Sequence, residues 1–249
     1  MNNMFKAIAI IPARLESSRL PGKALLDICG LPMIVHVYKR CLLASTLDKV
    51  YVATDNIEIK NCVEKYGGNV IMTSSLHETG TDRIAEAAQN INAEIVVNIQ
   101  GDEALVNPLY IDKVVDELII NPDINAAMLV NPFNKKNSPS DIKVVLDNNN
   151  NVLYLSRSDI PSASRDNNSL LLKAYHIIPF RKNFLLKFAN LPKGKLEKIE
   201  FNEYIRILEH GYKIRAVHVE SDAVSVDTSE DLDYVRSKMP KDKWFHKYI

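Results

Sequence analysis

The stretch KAIAIIPARLESSRLPGK, residues 6–23, decides the fold. Its first part, KAIAII (6–11), is a short apolar run without polar alternation. A run of that kind reads as a strand covered on both faces, as in a parallel sheet packed between helices. Its second part turns abruptly polar and basic, and open α/β folds place their ligands at the carboxyl ends of such strands. The same rhythm continues outward. A helical pattern starts near Pro32 and runs through Leu42, KVYVATD (49–55) reads as a second strand, and Ile57 to Tyr66 reads as a helix closed by Gly67-Gly68. NVIMT (69–73) follows as a third strand, a helix opens at Thr81-Asp82 and runs to about Ile91, and EIVVNIQGDE (94–103) is a strand running into a polar turn. Strands alternating with helices predict an α/β fold built on a mostly parallel sheet flanked by helices.

Beyond residue 130 the rhythm changes. KVVLD (143–147) and VLYLS (152–156) flank the tract Asn148 to Asn151, which suits a hairpin turn and an antiparallel pair. Helical patterns at 182–190 and about 199–210, a strand near 213–219 and a C-terminal helix opened by SEDLDYV (229–235) complete the chain. No repeat and no Gly/Ser/Pro linker divides it. The expectation is a single α/β domain over 1–249 carrying an antiparallel hairpin insert at 131–181.

Composition narrows the function. Apolar residues at 46% and charged ones at 25% match an ordinary globular chain and exclude intrinsic disorder. With 31 Lys+Arg against 31 Asp+Glu the formal charge is zero, which gives no electrostatic footprint for nucleic acid or an anionic membrane. Cys29, Cys41 and Cys62 form no CxxC pair and no metal-ligand spacing, which points to a reducing compartment. The apolar run Ala7 to Ile11 is too short for a signal-peptide core or a bilayer span, so a cytoplasmic enzyme or binding protein is expected.

The chemistry concentrates in three places. The loop PARLESSRLPGK (12–23) carries Arg14, Ser17, Ser18, Arg19 and Lys23. Guanidinium forks and an ammonium at a strand end can grip phosphate oxygens, with loop N–H groups adding donors. It is neither a Walker loop, since Lys23 is followed by Ala24, nor a GxGxxG fingerprint. In NIQGDE (98–103), Asp102 and Glu103 stand just past the end of a strand, and Asp227 in SVDTSED precedes a helix start. Either acid alone would serve equally well as a turn or cap residue. Beside a phosphate-binding loop, one strand-end aspartate with a second from elsewhere suits magnesium, which takes one or two carboxylates plus substrate phosphates. HETGTDR (77–83) puts Gly80 and Arg83 at a helix start, and Asp55 ends the second strand. No HExxH and no Ser–His–Asp order is present.

Together IPARLESSRLPGKAL, HVYKR, VYVATD, VNIQGDE, KVVLD, LYLSRSDIP and VDTSEDL resemble the CMP-Kdo synthetase family, the 3-deoxy-manno-octulosonate cytidylyltransferases, in order and spacing over roughly residues 6–238. The resemblance implies a Rossmann-like nucleotidyltransferase fold, a homodimer built with the 131–181 insert, magnesium dependence, and transfer of CMP from CTP to a 3-deoxy-2-keto sugar acid with release of pyrophosphate. It further implies a place in lipopolysaccharide biosynthesis. Carried over residue by residue, Arg14, Ser17, Ser18, Arg19 and Lys23 would hold the triphosphate. The loop from Thr73 to Arg83, with Gln100, would frame cytosine and ribose, and Asp102 and Asp227 would bind magnesium. Arg19, Lys23, Asp102 and Asp227 would carry catalysis, and Lys143, Arg157 and Glu203 would meet the sugar acid.

The sugar side departs from the family pattern. Where the family shows a KH[I/L]G[I/V]Y[G/A]Y-type strand before an arginine, this chain reads LLKAYHIIPFR, which puts Ala174 at the histidine and Ile178 at the first tyrosine. NEYIR replaces LEQLR, with Tyr204 at the glutamine. Sites built on hydrogen bonds reject analogues that lack them, so these changes bear on substrate choice. Kdo is the leading acceptor, a related or modified keto-deoxy sugar acid is the alternative, and a non-catalytic nucleotide-binding protein is the reading from a different class.

Overall fold

The computed structural model describes residues 4–16, 19–162, 164–165, 170–221 and 224–249. Ser17 and Ser18 therefore lie outside the described residues. The chain folds as two compact units, one of residues 1–112 with 222–249 and the other of residues 113–221.

In the first unit, β1 (Phe5–Ala13) runs parallel to β4 (Lys49–Thr54) on one side and β6 (Ala93–Ile99) on the other, and β4 runs parallel to β5 (Val70–Met72). Ala7 to Ile11 are fully buried, as an apolar run covered on both faces should be. Between β1 and β4 the chain makes a small ribbon, β2 (Asp27–Ile28) with β3 (Leu31–Pro32), before α1 (Met33–Cys41). α2 (Ile57–Lys65) starts where the Asn56 side chain accepts the N–H groups of Glu58 and Ile59. It ends where the Gly67 and Gly68 N–H groups take the Glu64 and Val63 carbonyls. α3 (Gly80–Ala88) is capped by Thr79, whose hydroxyl accepts the Asp82 N–H, so it begins earlier and stops sooner than its periodicity predicts. β6 likewise ends at Ile99, because the chain turns there and the Glu103 N–H returns to the Gln100 carbonyl. α8 (Ser229–Lys238) is fixed by a reciprocal cap between Thr228 and Asp231. Its apolar face joins Ile28, Met33, Met239 and Phe245 in one buried cluster.

α4 (Pro108–Ile120) leads into the second unit. There β7 (Ala127–Phe133) pairs antiparallel with β10 (Leu171–Tyr175) and parallel with β12 (Arg215–His218), while β8 (Lys143–Leu146) lies between β10 and β9 (Val152–Ser156) in the sheet order β12-β7-β10-β8-β9. The expected hairpin is present. Its turn is organised by Asp147, whose carboxylate accepts the N–H groups of Asn149 and Asn151. β11 (Ile177–Arg181), α5 (Lys182–Ala189), α6 (Lys195–Glu200) and α7 (Ile205–Glu209) complete the unit. The single helix expected at about 199–210 is two short ones. Phe201 breaks it with a left-handed backbone (φ 49°), and the Arg206 guanidinium returns to Glu197 through a bidentate contact of 2.8 and 2.5 Å. The unit is wider than the 131–181 segment read as an insert, because β7, β12 and the helices around them build a sheet and a core of their own.

Candidate active site

The first unit holds an open cleft of about 240 Å³ at the carboxyl ends of β1 and β6. Its walls come from the loop after β1 (Arg14, Glu16, Arg19, Lys23), the segment entering α3 (His77, Glu78, Thr79, Gly80, Arg83), the turn after β6 (Gln100, Gly101, Asp102) and Asp227. Two glycines make this approach possible. A Cβ on Gly101 would stand 3.0 Å from the Pro12 carbonyl oxygen, so any larger residue would push the two strand ends apart by a few tenths of an ångström. Gly22 sits at φ 68° and its N–H closes the loop on the Leu15 carbonyl, which throws Lys23 inward.

Lys23 is the centre of the site. Its ammonium donates to Asp102 Oδ2 at 2.5 Å, to the Val226 carbonyl at 3.1 Å and to Asp227 Oδ1 at 3.3 Å. Arg19 Nη2 reaches the same Asp227 oxygen at 2.8 Å. Residue 227 is held beside residue 102 by the backbone, since the Val226 N–H donates to the Asp102 carbonyl at 3.0 Å. Burial alone would lower the Lys23 pKa, but Asp102 and Asp227 outweigh it and hold the ammonium above its ordinary value.

Two carboxylates therefore point at one place, with oxygens within 3.3 Å of a single positive atom, and both side chains keep access to the cleft. Hard oxygen donors converging where positive charge already resides fit a magnesium ion. No cluster of three or more His, Cys, Asp or Glu forms a metal site among the described residues, so remaining ligands would come from phosphate and water. Glu103, the other acid of the motif, turns into the core and accepts the Ser225 hydroxyl.

The opposite wall is a polar scaffold. Arg83 is buried and donates to Thr73 Oγ1 at 2.6 Å while pairing with Asp55 at 3.2 Å, which accounts for both polar residues noted at those strand ends. Gln100 Nε2 donates to Asn98 Oδ1 at 3.1 Å and its side chain borders the cleft. Sequence reasoning passed over Glu86, which contacts His77 Nε2 and accepts the Ser74 N–H at 2.9 Å.

The residues expected at the sugar acid lie in the second unit, and two are already engaged. Lys143 is fully buried and its ammonium donates to the carbonyls of Ser138 (2.6 Å), Asp141 (2.8 Å) and Arg157. Arg157 spends its guanidinium on the carbonyls of Glu200 (2.8 Å), Pro139 (2.7 Å) and Phe201 (3.2 Å). Both tie loops together through backbone carbonyls, which need a donor when buried, and Lys143 Nζ also stands 3.6 Å from Asp159 Oδ1. Glu203 is half-buried at the turn before α7. Ala174, Ile178 and Tyr204 are buried, and Tyr204 stacks on His176 at 6.1 Å and on Phe180 at 6.5 Å, so the departures from the family pattern are packed as core.

Comparison with known proteins agrees with this geometry. The family model described as cytidylyltransferase matches residues 8–214. A 3-deoxy-manno-octulosonate cytidylyltransferase from Trichlorobacter lovleyi is 41% identical over 246 residues, covering 93% of this chain and 98% of the relative. An 8-amino-3,8-dideoxy-manno-octulosonate cytidylyltransferase from Shewanella pealeana is 40% identical over 240 residues, covering 94% and 98%. A solved CMP:2-keto-3-deoxy-manno-octonic acid synthetase in complex with CTP superposes with a TM-score of 0.91 at 37% identity, over 95% of this chain and 99% of that one. The parallel sheet, the basic loop after its first strand and these matches agree, and the chain belongs to the cytidylyltransferase family, among nucleotidyltransferases of the 3-deoxy-manno-octulosonate type.

Proposed function

We propose that this protein transfers CMP from CTP to the anomeric hydroxyl of a 3-deoxy-2-keto sugar acid, Kdo in the first instance, giving CMP-Kdo and pyrophosphate. The observation that carries the reading is the convergence of Arg19, Lys23, Asp102 and Asp227 in one cleft at the strand ends. Arg14, Arg19 and Lys23 receive the triphosphate, and Arg19 and Lys23 balance the charge that grows on departing pyrophosphate. The Thr73–Arg83 segment and Gln100 wall the side that takes cytosine and ribose. Asp102 and Asp227 would hold magnesium, which when bound neutralises triphosphate charge. The acceptor hydroxyl attacks the α-phosphorus in line, so no covalent enzyme intermediate is required. An anomeric hydroxyl ionises more readily than an ordinary alcohol, and the mechanism assigns no protein base.

The second reading, a modified acceptor, is favoured by a specific pair of observations. Ala174, Ile178 and Tyr204 replace polar family residues with packed ones, and a relative named for the 8-amino acid is 40% identical against 41% for one named for Kdo. Pyrophosphate release with CTP, magnesium and a panel of acids separates the readings. Turnover with Kdo is expected. Turnover with only the 8-amino acid rejects Kdo as the acceptor, and none with any acid returns the chain to a nucleotide-binding role. The reading also includes a homodimer and work in the cytoplasm on lipopolysaccharide precursors. No helix among the described residues is long and apolar enough to cross a membrane.

A further inference from the structure

The segment between β5 and α3 borders the cleft through His77, Glu78 and Thr79, yet little apolar burial holds it. Leu76, its one large apolar side chain, is 87% exposed. What holds it is polar and, apart from the Thr73 N–H that donates to the Thr54 carbonyl of β4 at 3.0 Å, the side-chain contacts come from α3. At the far end Thr79 caps the helix through the Asp82 N–H at 3.2 Å. At the near end Arg83 grips Thr73 Oγ1 at 2.6 Å. Between them a single oxygen, Glu86 Oε2, receives the Ser74 N–H at 2.9 Å and contacts His77 Nε2. The Ser74 hydroxyl in turn accepts the Leu76 N–H at 3.1 Å. Glu86 faces the loop and lies outside the residues that border the cleft, whereas His77 borders it.

We infer that Glu86 is a positioning residue for the nucleotide pocket: through His77 and Ser74 it sets the loop that walls the cleft before CTP arrives. This rests on the cleft binding CTP, as proposed above. The Glu86 carboxyl is held below its ordinary value, by the His77 contact first and the Ser74 N–H next, in keeping with a charged anchor. A wall ordered in advance removes an ordering cost from binding. It touches none of the reacting atoms, so it acts equally on the ground and transition states, and its loss belongs in KM and not in kcat.

The test measures the CTP dissociation constant by calorimetry alongside kcat and KM for CTP. Glu86→Ala is expected to raise both the dissociation constant and KM by roughly tenfold with kcat within about twofold, the scale of one or two lost ordering contacts. Glu86→Gln, which keeps an acceptor, should restore part of the affinity. His77→Ala should reproduce much of the loss, and the double variant should be little worse than either single one, since coupled residues are non-additive. Unchanged CTP affinity in Glu86→Ala, strictly additive losses, or a fall in kcat at constant KM would each overturn the inference. Failure of the unaltered protein to bind CTP would instead defeat the function on which it rests, so the two failures are distinguishable.

Discussion

Lys23 and Lys143 are the same residue type placed to opposite ends. In the first unit Lys23 faces two carboxylates, keeps a fifth of its side chain exposed, and stands beside an Arg19 that is 58% exposed. In the second unit Lys143 is fully enclosed and faces chiefly backbone carbonyls, with the Asp159 carboxylate farther off at 3.6 Å, while Arg206 is buried against Glu197 with Phe188 under its guanidinium. A cation paired with side-chain carboxylates at the mouth of a cleft can exchange partners, because water and a triphosphate can replace what it leaves. One pinned by carbonyls in a dry interior cannot, since leaving strands several acceptors at once. The charge of Lys23 is thus available for chemistry, whereas that of Lys143 is committed to holding loops.

Substitutions on either side can break this contrast. The largest effect is expected for Asp102→Asn, which keeps the shape of the site and removes a carboxylate from the place where charge must be balanced. The rate should fall by about 10²–10³, roughly 3–4 kcal/mol of barrier, with the melting temperature little changed. Retention of most of the rate would remove Asp102 from the machinery. Next is Lys143→Met, which takes the ammonium from the Ser138, Asp141 and Arg157 carbonyls and from the Asp159 carboxylate 3.6 Å away. A loss of about 3 kcal/mol in denaturant unfolding is expected, and a Lys143→Met protein as stable as the parent would show that this ammonium is not committed after all.

The smallest effect asks whether a buried group in the first unit behaves as those of the second do. His36 is enclosed between the Ile28 carbonyl (2.7 Å) and the Tyr248 hydroxyl (2.9 Å). Burial, with Arg40 nearby, lowers its pKa below the ordinary 6.5. As pH falls through that ordinary value the unfolded chain takes up a proton that the folded chain refuses, so stability declines from there toward the depressed value. Melting temperatures at pH 7.5 and 5.0 should differ by ~2 °C more in the parent than in His36→Gln, the shift expected for under one kcal/mol in a chain of this size. An equal pH dependence in both would show that His36 takes no part.

How far sequence reasoning reached follows from where the information sits. The strand at 6–11, the Gly67-Gly68 end of α2, the start of α8 at Ser229 and the hairpin turn at Asn148 to Asn151 depend on neighbours a few residues away, and the structure places them as expected. The expected helix over 199–210 failed because its outcome depends on Arg206 folding back to Glu197, a tertiary pairing that overrides periodicity. The use of Asp55 and Thr73 as supports for Arg83 was equally hidden, since those residues meet only once β4, β5 and α3 are assembled.

By itself the sequence determined the alternation of strands and helices, the basic loop behind the first strand and the two aspartates that could answer it, because composition and spacing act locally and survive without a fold. Only the tertiary structure decided that Lys23 lies between Asp102 and Asp227 while Lys143 and Arg157 are spent on carbonyls. A charged side chain takes the partner that burial leaves it, and burial is settled by contacts between segments far apart in the chain.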